Sequence, residues 1–242
     1  MLSVFAKEVN SFLNSLIAYI VIAVFLVGIG MFTWVIPETS ILEWGFADLD
    51  TLFSMAPYVF LFLIPAVTMR SFAEERKAGT MELLLTKPLT DWQIILGKYF
   101  ACLVLVVLAL LPTLVYYYTV WELGNPQGNV DSAAVIGSYL GLLLLGAVFT
   151  AIGLFASSLS DNQIVSFVLA VFLCFVIYEG FAALASINVW GQAARLIDQL
   201  GIAYHYATIS KGLIDSRDVL YFVSVIAVML SSTHLVLGSR KW

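Results

Sequence analysis

Residues 94–120 read IILGKYFACLVLVVLALLPTLVYYYTV, a run of 27 residues with a single charge, Lys98. The hydrocarbon core of a bilayer is about 30 Å thick and takes about 20 helical residues to cross, so a run of this length and composition reads as a membrane span. Five further runs share its character: Leu16 to Ile36, Leu52 to Met69, Ala133 to Ser157, Ile164 to Ile187 and Val219 to Leu237. They absorb most of the apolar residues of a 242-residue chain that is 62% hydrophobic and 11% charged, where a water-soluble domain carries about 25% charge. Mean hydropathy is +0.99. A soluble enzyme is excluded, and the expected fold is an all-α integral membrane protein, one domain over residues 1–242 with six transmembrane helices. Cys102 and Cys174 both fall in apolar runs and read as small hydrophobes, not as a disulfide framework.

Most span boundaries carry their own punctuation. Pro37 follows the first span, and Thr90 to Gln93 and Ser160 to Gln163 each match a capping box, which predicts helix starts at Asp91 and Asp161. Pro57, Pro65 and Pro112 are expected to kink spans two and three. On span four, Gly146, Thr150, Gly153 and Ser157 stand at i, i+4, i+7 and i+11, with Gly137 and Gly141 above them. Such a face lets helix backbones approach closely, either within the bundle or against a partner, and the former is the use every six-helix bundle needs. Ahead of the first span, Leu2, Phe5, Val9, Phe12 and Leu13 share one helical face opposite Lys7, Asn10, Ser11 and Asn14, which suggests an interfacial helix; a frayed tail is the alternative. The opening residues lack the basic n-region of a signal peptide, so the first span is expected to be retained.

Lys and Arg in short loops set the orientation. With both termini inside, Lys7, Arg70, Arg76, Lys77, Lys87, Lys98, Arg240 and Lys241, eight of the eleven basic residues, face the cytoplasm, leaving Arg195, Lys211 and Arg217 outside. The two short outer loops contain no Lys or Arg and carry Glu38, Glu43, Asp48, Asp50, Glu122 and Asp131. The reverse orientation would put a purely acidic surface inside.

Enzyme chemistry is sparse. Glu179 is the one ionisable side chain well within a span, about 22 Å along span five at 1.5 Å per residue. An intramembrane acid is a functional candidate because it is costly unless paired or facing water; the alternative is that Glu179 snorkels to the outer interface beside Tyr178 and Gly180. His205 and His234 are expected at opposite faces, and no H-E-x-x-H, G-x-S-x-G or P-loop pattern occurs, so the chain holds no metal or nucleotide by a known motif of its own.

The most informative segment runs from Arg70 to Lys98. A charged extension of span two is expected to end at Gly79, with Thr80 capping a short amphipathic helix, Met81 to Leu85, that Pro88 stops. Such a helix suits docking into a groove on another protein, or lying on the lipid surface. Glu74, Glu75, Arg76, Gly79, Thr80, Glu82, Leu84, Leu85 and Pro88, followed by Ile94, Leu96, Gly97 and Lys98, resemble the E-E-R-x-x-G-T-x-E-x-L-L-x-x-P and I-x-L-G-K pattern of type-2 ABC transporter permeases. The resemblance continues through Ser157 to Gln163 and His205 to Trp242 and covers essentially the whole chain. It is greatest to a subgroup containing the gliding-motility (GldF-like) permeases and the NosY-like permeases of copper-site maturation, the former on overall likeness.

That resemblance implies a permease half in a bacterial inner membrane, paired with a second copy or a sister permease, with a separate ABC ATPase bound to the cytoplasmic coupling loop of each half. An accessory envelope protein is a further possible partner, and nucleic acid is not one. ATP and Mg would sit on the ATPase, with no cofactor in this chain. Glu74 to Leu85, Met81 included, would form the elbow and coupling helix, assisted by Asp161, and Asn188 to Asp218 would fold as short, partly re-entrant outer helices above Glu179. Three functions are weighed: ATP-driven export, envelope work with no transported cargo, and a membrane-embedded enzyme, which would need a second carboxylate or histidine within hydrogen-bond reach of Glu179. The few polar residues in the spans, Thr68, Thr113, Ser166 and Glu179, point to an apolar cargo, a closed path or a mechanical role.

Overall fold

The computed structural model describes residues 1–81, 89–187 and 191–239, apart from the side chains of Trp44 and Gln192. A backbone in lipid must satisfy its own hydrogen bonds, and among the described residues every regular element is helical. Among the described residues six helices are long and apolar enough to cross a membrane: Leu16–Val35, Asp50–Lys77, Asp91–Leu123, Ser132–Leu159, Gln163–Ala185 and Ser216–Gly238, here spans one to six. Each coincides with an expected run. Span two is extended by an elbow helix, Arg70–Lys77, which continues it after a break at Met69.

Span four is the axis of the bundle, with 78% of its apolar stretch buried against 22% for spans one and five. Its small residues explain why. A Cβ on Gly153 would collide with Thr68 Oγ1 of span two, one on Gly146 would lie 2.7 Å from Val106 Cγ1 of span three, and one on Gly137 would lie 2.9 Å from the Cα of Gly212. The small face is therefore spent inside the chain, on the nearest approaches of spans two and three and of the segment before span six.

The Thr90 cap forms as expected: Thr90 Oγ1 accepts from the Gln93 N–H and Gln93 Oε1 accepts from the Thr90 N–H. The second capping box does not form. Ser160 accepts from the Asn162 N–H, and Asn162 Oδ1 accepts from Ile164 N at 2.9 Å, so span five starts at Gln163 and not at Asp161. An Asn side chain two residues from the free N–H reaches it directly, which leaves the Ser hydroxyl to shape the preceding turn.

The prolines act differently from one another. Pro112 interrupts span three with a short 3-10 turn, Leu111–Thr113. Pro57 and Pro65 sit inside the unbroken helix Asp50–Thr68, and the break falls at Met69 instead. Pro57 has no N–H to give the carbonyl of Phe53 four residues earlier. The Tyr206 hydroxyl supplies the donor at 2.7 Å, and burial holds that hydroxyl well above its ordinary pKa, so it stays a donor.

Leu2–Leu13 is a helix, not a frayed tail. Its buried residues are Val4 and Glu8, and Val4 rests on Gly97 of span three, where a Cβ would lie 3.0 Å from Val4 Cβ. Much of the apolar face named from the sequence points elsewhere, Leu2 being 78% exposed, as befits a helix with one side on the protein and another toward lipid. Between spans five and six lie short helices Ala194–Asp198 and Ile202–Ile209. His205 joins them to span six, with Nδ1 2.6 Å from Asp218 Oδ1 and Nε2 2.9 Å from the Gln199 carbonyl.

Gly153→Ala is expected to destabilise the protein by about 1–3 kcal/mol through forced separation of spans two and four. Gly28→Ala, where a Cβ meets nothing within 4 Å, is expected to be neutral or stabilising. Thermal unfolding of the detergent-solubilised variants distinguishes the two.

Candidate functional site

The end of the bundle that carries Lys7, Arg70 and Lys98 is organised around one buried cation. Lys98 is 1% exposed, and an ammonium in that position needs counter-charge and acceptors. Its Nζ lies 3.0 Å from Glu8 Oε1 of the N-terminal helix, 2.9 Å from Glu75 Oε1 of the elbow and 2.7 Å from the Ser71 carbonyl. It also sits 5.3 Å from the centre of the Phe72 ring. Lys7 Nζ, 3.3 Å from Glu75 Oε1 and 3.5 Å from Glu8 Oε1, balances the second carboxylate, so the cluster of two acids and two lysines is neutral. Burial pushes the Lys7 pKa down, but Glu8 and Glu75 outweigh it and the net shift is upward. One cation thus ties together the N-terminal helix, the elbow and span three.

A second tie joins the elbow to span four. The break at Met69 leaves the first N–H groups of the elbow without partners in their own helix. Ser157 Oγ accepts from Phe72 N at 2.9 Å and Ala73 N at 3.1 Å, and donates to the Met69 carbonyl at 3.0 Å. It is a helix cap supplied by a different helix. At the far end of the elbow, Gly79 adopts φ +66°, Gly79 N–H donates to Arg76 O and Thr80 N–H donates to Glu75 O, the paired bonds of a Schellman stop.

These contacts place the residues singled out from the sequence. Glu75 is in the buried cluster, and Glu74 is exposed and pairs with Arg70 at 2.9 Å. Arg76 lies in the last turn of the elbow. Gly79 ends it as expected, and Thr80 Oγ1 donates back to Glu75 O at 3.2 Å. Met81 packs inward against the cluster of Phe72, Ile94 and Ile95. Glu82, Leu84 and Leu85 lie outside the described residues. Asp161 is exposed at the same end of the bundle.

Glu179 belongs to the opposite, acidic end. It stands in a π-helical turn, Val176–Gly180, and Tyr58 of span two donates its hydroxyl to Glu179 Oε1 at 2.8 Å. Both line an open cavity of about 720 Å³ with Asp48, Asp50, Glu38 and Lys211. Burial pushes the Asp48 carboxyl up from its ordinary range. Glu179 faces this cavity with a specific partner, not the bare interface. The carboxyl has no second acid or histidine bonded to it among the described residues, which leaves no acid–base pair there. The other polar span residues turn inward: Thr68 donates to Ile64 O, Thr113 donates to Leu110 O, and Ser166 is buried. His205 and His234 are far apart, His234 stacking on Trp92 at 5.0 Å, and no metal-binding group of three forms among the described residues.

A family model described as ABC-2 family transporter protein matches residues 45–209, from the loop before span two through the helix that carries Tyr206. The chain belongs to the ABC-2 transporter family. Two relatives from Escherichia coli, strains K12 and O157:H7, each described as "Probable multidrug ABC transporter permease YbhR", are 28% identical over 182 residues. The matched region covers 72% of this ABC-2 chain and 47% of each relative, so the chain spans about half the length of the curated relatives it matches.

Of the residues that build the ABC-2 chain's two ends, Glu8, Tyr58 and Tyr206 had no role in the sequence reading, and Ser157 entered it as a small residue of span four, not as a cap for the elbow. A lone Lys98 in an apolar run announces a carboxylate partner, and Pro57 announces an orphan carbonyl at Phe53; neither says which residue answers. Lys98→Met is expected to destabilise the fold by about 3–5 kcal/mol, since it leaves Glu8 and Glu75 facing each other with one fewer cation. Arg70→Met, which removes an exposed i,i+4 pair, is expected to cost under about 0.5 kcal/mol. Urea unfolding followed by tryptophan fluorescence measures both.

Proposed function

We propose that this chain is the membrane-spanning permease subunit of an ATP-driven ABC-2 transporter, a single domain over residues 1–242 with the basic end in the cytoplasm of a bacterial cell and the acidic end outside. Two copies of a separate ABC ATPase dock on the loops of two permease chains, this one and a second copy or sister, and nucleotide and Mg bind there. The observation that carries the reading is the wiring of the elbow. Span two and its elbow total 28 residues, about 42 Å of helix against an apolar core of about 30 Å. The elbow therefore projects beyond the lipid, and Lys98 and Ser157 fasten it to three other helices. A push on the elbow, Arg70–Lys77, reaches spans three and four through these bonds.

The finer assignment, to a gliding-motility complex of the GldF-like subgroup, rests on sequence resemblance alone, with NosY-like permeases as relatives. The specific observation favouring a second reading, envelope work without cargo, is that Thr68, Thr113 and Ser166 of the spans turn into the bundle and away from the cavity that Glu179 faces.

Charge reversal at Glu82 combined with Leu84→Asp is expected to release the ATPase while the permease remains inserted. Affinity purification of the complex after solubilisation checks this; an ATPase that still co-purifies in full would remove the docking assignment. Glu179→Gln is expected to impair function in cells more than Glu43→Gln, and equal, mild effects would return Glu179 to a passive solvated role.

A further inference from the structure

Two cavities of opposite character meet on the face made by spans one, two and five. The outer one is the acidic vestibule of about 720 Å³, where Glu38, Asp48, Asp50 and Glu179 are set against a single cation, Lys211. The other is an apolar groove of about 600 Å³, walled by Val24, Gly28 and Phe32 of span one, Phe62 of span two and Phe167 of span five. Met55 and Tyr58 line both. The boundary between oil and charge is therefore one helical turn of span two, and Tyr58 holds Glu179 at that boundary by its 2.8 Å hydrogen bond.

We infer that the two adjoining cavities together bind a cationic amphiphile, its apolar body in the groove of spans one, two and five and its ammonium-type head at Glu179. Charge decides among occupants. An acyl chain alone fits the groove, but the phosphate of its headgroup would meet four carboxylates. A second copy of this chain could cover the groove, yet an apolar helix face offers nothing to the acids beside it. A molecule with an apolar body and a positive head satisfies both halves at once. The aromatic rings of Tyr58 and Tyr178, edge to face at 6.0 Å, add surfaces that favour a bulky organic cation over a small hydrated one. As the cargo of the transporter, this ligand rests on the permease reading; as a bound molecule, it does not.

The test is equilibrium binding of radiolabelled tetraphenylphosphonium to the full-length chain in phosphatidylcholine nanodiscs, with no ATPase present. Saturable binding is expected, displaced by dodecyltrimethylammonium and not by dodecyl sulfate at the same concentration. Glu179→Gln is expected to weaken it by about tenfold or more, the loss of one charge-assisted contact. Glu179→Asp should retain most of the affinity, and Glu43→Gln all of it. Gly28→Leu, which places side chain in the open groove without touching the carboxylate, should weaken binding through volume alone. Unchanged binding in Glu179→Gln, or equal competition by dodecyl sulfate, overturns the inference. Val24→Cys supplies the remaining arm, because native Cys102 and Cys174 are buried. Crosslinking between copies that saturating cation blocks supports the site, whereas crosslinking indifferent to cation makes the groove a contact between copies and overturns it. Failure here leaves ATPase co-purification untouched, so the two readings fall separately.

Discussion

A fully buried ammonium in an apolar helix is the constraint on which the basic end of this protein is built. Lys98 is covered by the helices packed on it, so the chain must bring acceptors to it, and it brings them from two other elements, Glu8 and Glu75. A charge buried in this way contributes little net stability, because desolvation offsets most of the attraction. What it contributes is geometry. The N-terminal helix and elbow have one arrangement in which the cation is neutralised, and the alternatives leave a charge bare.

The close packing of span four works to the same end by other means. Gly153 and Gly146 remove the side chains that would hold spans two and three away, and Ser157, one helical turn beyond Gly153, is thereby within reach of the free amides at the start of the elbow. Small residues and a hydroxyl on one stripe thus do two jobs, approach and capping. The result is a rigid end where the helices meet through hydrogen bonds and ion pairs. The acidic end is more open, with a cavity walled by spans two and five and the helix that carries Tyr206.

Much of this architecture was legible in the sequence, because the signals were local. Six apolar runs gave six spans, and Thr90 with Gln93 gave a cap that needs only four consecutive residues. Gly79 gave the elbow its end for the same reason. The apolar run put span five at Ile164, one residue from its start, but the cap was misplaced at Asp161 because Ser160 and Asn162 compete for one task, and which of them reaches the free N–H depends on backbone angles that the residue names do not encode. The ties that define the site are long-range: Glu8 is 90 residues from Lys98, Ser157 is 85 from Phe72, and Glu179 is 121 from Tyr58. A sequence shows that Lys98 or Glu179 needs a partner, but the identity of that partner is settled only when the helices pack.

The hydroxyl that Tyr206 lends to Phe53 bears on how the vestibule can widen. If the helix Ile202–Ile209 lifted away from span two, a carbonyl at a proline step would lose the one donor that replaces its missing helix partner. That seam is consequently the stiff wall of the chamber. Its opposite wall is the π-helical turn of span five, joined to span two through one phenol and one carboxylate, and it is there that the mouth would part first.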